Sequence, residues 1–384
     1  MNRGNAEDGR GGANLPALRG HNEALLLDLL RAAGPPGLGR AELAARTGLT
    51  PQAVSKITAR LAAEGLVAEA GRDASTGGKP RTRLRLVPGA RHAVGVHLDR
   101  DGLRAVRVDL AGGVVAQCSG PLDFGAGPET VVDAVVRAVV RVSGGDGEEA
   151  PPLLGVGVAA PGPLDWRSGV LGRVTGFPEW EGFPLREVLA GRLGAAVVVD
   201  KDTNAGVAAV GPGLSAGPGG ADRPGPGGTG GPGGPGSGSS VYLHVGTGLG
   251  AGLRLDGAVY RGARSGAGEF GHQVLRLDGP PCRCGGRGCL EVLCLDAVAR
   301  GDLAEAARVL GEGAANLVAL LDVDRVLLGG RVVAAAPEVF VEGVRGVLAA
   351  RALTPGPPPV VAPAPAGVAE GAAELALAPL FGHG

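Results

Sequence analysis

Residues 246–291 constrain this chain more than any other stretch of its sequence. They follow a short apolar segment, residues 241–245, that is typical of a buried strand, and they open with glycines at 246, 248, 250 and 252. Glycines at this spacing let backbone N–H groups approach an anion closely. In a chain with 73 glycines, however, the same pattern is equally typical of a tight hairpin between two strands.

One histidine and three cysteines follow in the same stretch. His272, Cys282, Cys284 and Cys289 have the spacing H-x9-C-x-C-x4-C on a loop rich in glycine and proline. Burial as small apolar residues or pairing in disulfides is the alternative for such cysteines. Three of the five cysteines lie within eight residues, among arginine and glycine, and this favours a metal site. Four protein ligands leave no open position for water, so we expect a structural Zn²⁺.

Two motifs in this stretch resemble the signature of the ROK family, which comprises repressors, open reading frames and kinases. They are Gly-Glu-Phe-Gly-His at 268–272 and Cys-Arg-Cys-Gly-Gly-Arg-Gly-Cys-Leu-Glu at 282–291. The resemblance implies an α/β fold whose body is two-lobed and actin-like, of the ribonuclease-H-like sugar-kinase type. It also implies that Glu269, His272 and Glu291 contact the hydroxyls of a bound sugar, while His272 binds the zinc as well.

A further sugar-site motif follows the apolar residues 197–199. The sequence there is Asp-Lys-Asp-Thr-Asn, residues 200–204, at the carboxyl end of a predicted strand, where sites lie in such sheets. The family has Asn-Asp here, and the Asp is the base that accepts the proton of the attacking sugar hydroxyl. Asp202 matches that base, and Lys201 replaces the sugar-binding Asn, which implies either a changed sugar preference or a loss of sugar affinity.

The N-terminal part of the chain has the pattern of a winged helix-turn-helix. Residues 21–33 and 40–46 have apolar residues at helical spacing, and a third helix is predicted from Thr50 as N-cap and Pro51 as its first residue. Two predicted strands, 66–70 and 81–87, flank a Gly-Gly-Lys-Pro wing. A small helical packing domain is the alternative, but it does not account for the polar outward face and the basic hairpin.

The third helix and the wing carry the candidate DNA contacts. Val54, Ile57 and Leu61 form its apolar stripe, which leaves polar side chains outward, of types that bond base edges or phosphates. The predicted DNA-binding residues are Thr50, Gln52, Ser55, Lys56, Arg60, Lys79 and Arg81.

Composition and charge complete the domain division. We predict a disordered tail at 1–19, the DNA-binding domain at 20–88 and the sugar-kinase-like body at 89–384, with a disordered Gly/Pro-rich insertion at 211–240.

Residues 1–90 carry 13 Lys and Arg against 8 Asp and Glu, whereas the remainder is acidic. This asymmetry favours a polyanion partner at one end. With no apolar leader, we expect a cytoplasmic protein with no membrane partner.

The opening of the body decides between a kinase and a regulator. A kinase of this family needs a phosphate loop of the type Asp-x-Gly-Gly-Thr, and this chain has His-Leu-Asp-Arg-Asp at 97–101. Side chains replace the glycines, and Asp99 and Asp101 would repel a triphosphate. We therefore expect a sugar-responsive DNA-binding repressor, a homodimer or tetramer, in which Asp202 is a vestigial base. The alternatives are an active ATP-dependent sugar kinase with a DNA-binding appendage, and a DNA-binding scaffold without a small ligand.

Overall fold

The computed structural model of the chain describes residues 15–72, 82–144, 153–209, 238–352 and 356–383. The chain forms two compact units. One comprises Met1–Val87 together with Ala378–Gly384, and the other comprises Pro88–Leu377.

The first unit is a winged helix-turn-helix, as predicted. Its elements are α1 (Leu15–Ala33), β1 (Leu38–Gly39), α2 (Arg40–Thr47), α3 (Pro51–Ala63), β2 (Val67–Arg72) and β3 (Thr82–Leu86). The strands form an antiparallel sheet in the order β1-β3-β2. Since α1 begins at Leu15, the prediction of a disordered tail is wrong for residues 15–19, and residues 1–14 lie outside the described ranges.

The C-terminal residues pack in this first unit, which differs from the predicted division that placed them in the body. The guanidinium of Arg31 lies 4.6 Å from the centroid of the Phe381 ring, and Phe381 is buried. Nε2 of His383 lies 2.9 Å from Oδ1 of Asp28. Both partners of the C-terminal residues lie on α1, so residues far apart in the sequence complete one small core.

The body opens with a five-stranded mixed sheet in the order β10-β7-β4-β5-β6. Its elements are β4 (His92–Leu98), β5 (Gly102–Asp109), β6 (Val114–Pro121), α4 (Pro128–Ser143), β7 (Leu153–Ala160), β8 (Leu164–Asp165), β9 (Val170–Leu171), α5 (Leu185–Leu193) and β10 (Val197–Lys201). Strands β4 to β6 are an antiparallel meander, and β7 and β10 extend it in parallel.

A second five-stranded sheet repeats this arrangement, in the order β13-β12-β11-β14-β15. Its part of the chain contains α6 (Asp202–Ala208), β11 (Ser240–Val245), β12 (Leu249–Leu255), β13 (Ala258–Val259), α7 (Leu290–Ala299), α8 (Leu303–Leu321), β14 (Arg325–Gly329), α9 (Arg331–Ala335), α10 (Pro337–Ala350), β15 (Val360–Pro363) and α11 (Val368–Leu377). Two sheets of this kind confirm the predicted two-lobed sugar-kinase-like body. The predicted insertion falls almost wholly on residues 210–237, outside the described ranges, but its last residue, Ser240, already belongs to β11.

Two helices lie between the sheets and bring them together. Helix α11 packs on β4, β7 and α6, and α6 packs on β11 and β12. The approach is close because β4 and β7 present Gly95 and Gly157 to α11; a Cβ at either position would collide with the backbone oxygen of Ala369 or Ala372. The sequence analysis did not foresee this use of glycine.

Within the described ranges, no helix combines the length and the apolar content that crossing a bilayer requires.

Candidate functional site

Helix α3 presents a polar face to solvent in the first unit. Thr50 caps its N-terminus, with Oγ1 accepting a hydrogen bond of 3.2 Å from the backbone N–H of Ala53, and Pro51 is its first residue. Val54, Ile57 and Leu61 are buried, as predicted. The apolar stripe therefore packs α3 into the core of the unit, and the opposite face of the helix is accessible to a ligand.

The predicted DNA contacts separate into four groups. Gln52, Ser55 and Lys56 are exposed on α3. Arg60 is also exposed but pairs with Glu23 of α1, so its charge is shared within the protein. Lys79 and Arg81 lie outside the described residues. The hydroxyl of Thr50 is already an acceptor in the helix cap.

The four predicted metal ligands meet at one point of the body. The ligand atoms of His272, Cys282, Cys284 and Cys289 all lie within 4.8 Å of one another. His272 ends a short 3-10 turn, Cys282 and Cys284 lie on a turn closed by the hydrogen bond from Cys282 N to Gly286 O, and Cys289 is the N-cap of α7.

These distances fit a tetrahedral ion. Nδ1 of His272 lies 3.7 Å from Sγ of Cys282, and Sγ of Cys284 lies 3.7 Å from Sγ of Cys289. Metal–ligand bonds of about 2.0–2.3 Å at tetrahedral angles place ligands about 3.4–3.8 Å apart. Burial raises the pKa of the Cys289 thiol to about 12, so this thiol needs a cation beside it to ionise. The group could hold a metal ion.

The predicted sugar residues surround a cleft of about 120 Å³ beside the metal group. Lys201, Asp202, Glu269, His272 and Glu291 all line it. Asp202 is the first residue of α6, directly after β10. Glu291 lies in the first turn of α7 and accepts a hydrogen bond of 2.9 Å from the backbone N–H of Leu249. His272 belongs to both the cleft and the metal group, so the two sites are mechanically joined.

Lys201 does not point to solvent. Its side chain is 4% exposed, and Nζ donates to the backbone oxygen of Ala267 at 2.5 Å and to Oε1 of Glu269 at 3.1 Å. Glu269, expected to accept from a sugar hydroxyl, is thus the partner of an internal lysine in this structure. Sequence alone placed the two residues in one site but did not indicate that they bind each other.

Asp200, the residue before Lys201, forms a second ion pair, with Arg261. Asp200 is 1% exposed; its Oδ2 accepts from Nε of Arg261 at 2.7 Å, and its Oδ1 accepts from the side-chain amide of Asn204 at 2.7 Å. Arg261 also lies over the Trp166 ring, 4.4 Å from its centroid. Arg261 could not be predicted as part of this site, because nothing in its local sequence distinguishes it from the other arginines.

The residues at the phosphate-loop position are held by side chains of the second lobe. Oδ1 of Asp99 accepts from the Thr247 hydroxyl at 2.8 Å and from the backbone N–H of Arg100 at 2.8 Å. Burial alone would raise the pKa of Asp99, but these hydrogen bonds outweigh it and the pKa is lowered. Oδ2 of Asp101 accepts from Arg331 at 2.6 Å. Asp99 is therefore ionised, whereas the charge of Asp101 is partly offset by Arg331.

A cavity of about 800 Å³ lies beside this loop. Asp101, Gly330 and Arg331 are among its lining residues. His97 lines it too, in place of the loop's first aspartate, and burial lowers the pKa of His97 and favours the neutral ring. Two carboxylates, those of Asp99 and Asp101, therefore line this cavity at the loop.

Comparisons with known proteins agree with this architecture. Residues 235–301 match the model of the ROK family, and residues 19–74 match a model of the MarR family. The chain is 27% identical over 258 residues to a putative xylose repressor of Caldicellulosiruptor sp. (strain Rt8B.4), which covers 66% of this chain and 59% of that protein. It is 35% identical over 167 residues to a glucokinase of Thermotoga maritima, which covers 44% of this chain and 45% of the glucokinase.

A solved structure resembles the whole chain. It is that of a ROK family transcriptional regulator, a homologue of the E. coli MLC protein, with a TM-score of 0.72 at 19% identity, covering 95% of this chain and 98% of that one. At this identity the likeness shows the fold alone. The alignments with the curated relatives above span less than two thirds of those relatives' length. The chain therefore contains a ROK family domain and, at its N-terminus, a MarR-type winged helix.

Proposed function

We propose that the protein is a sugar-responsive transcriptional repressor. Its winged helix binds double-stranded operator DNA, and its body binds a sugar or sugar phosphate without phosphorylating it. The observation that carries this proposal is the loop at 97–101, where Asp99 is held by Thr247 in the place of the glycines that a triphosphate requires. A chain with a DNA-reading helix and such a loop is better suited to sensing a sugar than to phosphorylating it.

The DNA-binding role rests on α3. Its exposed Gln52, Ser55 and Lys56 are side chains that bond base edges and phosphates in a major groove. Arg60 would support the same face once released from Glu23, and Lys79 and Arg81 would extend it along the wing. Winged helices read half-sites, so a homodimer, or a tetramer of two such dimers, is the assembly that a symmetric operator requires.

The effector role rests on the cleft beside the metal group. Asp202, Glu269, His272 and Glu291 would accept from sugar hydroxyls, with Lys201 beside them. Asp202 has the position of the catalytic base. A base at this position does not lead to phosphoryl transfer unless a nucleotide is also held in line with the sugar hydroxyl. A ligand alters DNA binding only through a difference in its affinity for two arrangements of the protein.

We assign the metal as Zn²⁺ in a structural role. One imidazole and three thiolates are a closed tetrahedral set that suits zinc and leaves no position for water. The ion would tie the loop at 282–289 to His272 and to the first turn of α7, so it would fix two sugar-contacting residues, His272 and Glu291. Unoxidised thiols and a DNA partner are both consistent with the cytoplasm.

DNA selection and sugar release test the proposal together. The full-length protein would be used to select binding sites from a random DNA library, and the affinity for a selected site would be measured by fluorescence anisotropy with and without a panel of sugars. We expect saturable, sequence-specific binding that one sugar weakens by about tenfold or more. Absence of a preferred sequence would contradict the proposal.

An active sugar kinase with a DNA-binding appendage is the second candidate. The 35% identity with a glucokinase and the retained Asp202 favour it. Incubating the protein with Mg-ATP and the releasing sugar, followed by mass spectrometry of the sugar, separates the two. We expect no phosphorylated product above a blank without protein, and turnover would establish the kinase.

A further inference from the structure

Lys201 is a buried cation that has one carboxylate partner, Glu269, among the residues that the structure describes. Its side chain is 4% exposed, whereas that of Glu269 is 52% exposed. Burying an ammonium group is costly unless a counter-charge stays beside it. Glu269 supplies that charge, but its exposed end can turn to water at little cost. The pair therefore has one fixed member, the lysine, and one member that can be exchanged.

The neighbouring carboxylate, Asp200, does not serve as a second counter-charge for the Lys201 ammonium. Asp200 is next in the chain, but its two oxygens are taken by Arg261 Nε at 2.7 Å, Asn204 Nδ2 at 2.7 Å and the backbone N–H of Lys201. The other acceptor of the Lys201 ammonium is the neutral backbone oxygen of Ala267. Removing Glu269 from Lys201 would leave a buried charge with only a neutral acceptor.

A neutral sugar offers Lys201 only hydroxyls. Oε1 of Glu269 accepts from Nζ, which leaves Oε2 to accept from a sugar hydroxyl, but a hydroxyl oxygen is a weaker partner for the ammonium than an acid group. An acidic sugar offers Nζ a carboxylate or phosphate, which can take the place of Glu269 without leaving the buried charge unpaired. The released Glu269 is then free to accept from a ring hydroxyl.

We propose that the effector is an anionic sugar, a sugar carboxylate or sugar phosphate, whose acid group pairs with Lys201. This inference rests on the proposed function and names the ligand class of the same cleft. The rest of the cleft suits such a ligand: Asp202 and Glu291 each use one oxygen to accept from a backbone N–H, of Thr203 and of Leu249 respectively. Their second oxygens face no donor within the described part of the chain and accept from hydroxyls.

The arrangement of charges also orients the ligand. Three cations, Lys201, Arg100 and Arg283, and four carboxylates line the cleft, so its field as a whole does not attract anions. An acidic sugar therefore binds in one orientation, with its acid group facing Lys201 and its hydroxyls facing the carboxylates. A simple anion such as inorganic phosphate satisfies only the first condition and binds weakly.

Calorimetry with matched ligand pairs tests this inference. The full-length protein is titrated with glucose and glucuronate, with galactose and galacturonate, with the two 6-phosphates, and with inorganic phosphate. The variants are Lys201→Asn, which restores the family's residue, and Lys201→Met, which keeps the length without the charge. Arg264→Gln removes an exposed positive charge from the same loop as Glu269 but outside the cleft, and is the matched control. Thermal melting of each variant reports whether it folds.

We expect the wild type and the Arg264→Gln variant to bind at least one acidic sugar about tenfold or more tightly than its neutral partner. Lys201→Asn and Lys201→Met should lose this preference. A wild type that binds neutral sugars as well as acids, or variants that keep the preference, overturn the inference. If neutral sugars alone release DNA, the proposed repressor stands and the anionic class fails; if no sugar of either class binds, both fail.

Discussion

Arg104 on β5 donates two hydrogen bonds of 2.6 Å to Glu370 on α11, one to each carboxylate oxygen. This bidentate pair fastens the last helix of the body to the first sheet. Burial alone would raise the pKa of Glu370, but the hydrogen bonds and the charge of Arg104 outweigh it and lower the pKa below its ordinary value of 4.5. The folded state therefore favours ionised Glu370.

The stabilisation from this pair should depend on pH. A carboxylate whose pKa is lowered by folding contributes stability above its unfolded value, near 4.5, and loses it as the pH falls through the folded value. We expect Glu370→Gln to lower the free energy of unfolding by about 1–3 kcal/mol at pH 7, part of the interaction being screened at the exposed end of Arg104. Urea unfolding at pH 7 and at lower pH should show that the difference in unfolding free energy between the wild type and the Glu370→Gln variant becomes smaller as the pH falls. Glu305→Gln, in an exposed pair with Arg308, is the control and should change little.

The close packing of α11 on the sheet predicts a large effect of one methyl group. Gly157→Ala places a Cβ against the backbone oxygen of Ala372, which no rotamer change relieves. We expect a loss of about 3 kcal/mol or more, or failure to fold. Gly191→Ala, inside α5 with open space around the glycine, should instead stabilise by about 0.5–1 kcal/mol. Equal melting temperatures for the two variants would contradict the packing.

Removing one thiol should release the metal. We expect Cys284→Ser to lower bound zinc from about one ion per chain towards zero, measured by elemental analysis of the purified protein, and to lower the melting temperature. Cys118→Ser changes a cysteine on β6, away from the cluster, and should keep its zinc. Full metal content in the Cys284 variant would remove this residue from the ligand set.

One exposed lysine tests the DNA face. Lys56→Ala should weaken binding to the selected operator, and the slope of log affinity against log salt should fall by about one because one phosphate contact is lost. Arg137→Ala removes an exposed charge from α4 of the body and should leave both quantities unchanged. An unaltered salt dependence in the Lys56 variant would exclude this side chain from the phosphate contacts.

The sequence predicted the first unit and the metal group closely, for local reasons. Thr50 followed by Pro51 marks a helix start through bonds within one turn, and the structure has the cap at that residue. The four candidate metal ligands are close in sequence, so chain connectivity alone keeps them within reach of one another. The apolar segments 197–199 and 241–245 likewise predicted strands, and they lie in β10 and β11.

Other features depend on residues far apart in the chain. Glu269 lies 68 positions after Lys201, and nothing near either residue indicates that Nζ of one lies 3.1 Å from Oε1 of the other. Arg331 reaches Asp101 across 230 positions. The role of Gly157 is visible only once α11 lies on β7. Such contacts arise from how the sheets and helices pack, which no local pattern specifies.

The sequence by itself determined the architecture of this protein: a winged helix-turn-helix followed by a two-lobed sugar-kinase-like body, with four side chains on one loop that could hold a metal ion. It did so because caps, periodicities and closely spaced ligands are properties of neighbouring residues. Only the tertiary structure decided that the cleft holds a buried lysine paired with one of its acidic residues, and that Asp99 is held by Thr247. These are effects of burial and charge, and burial exists only after distant segments have come together.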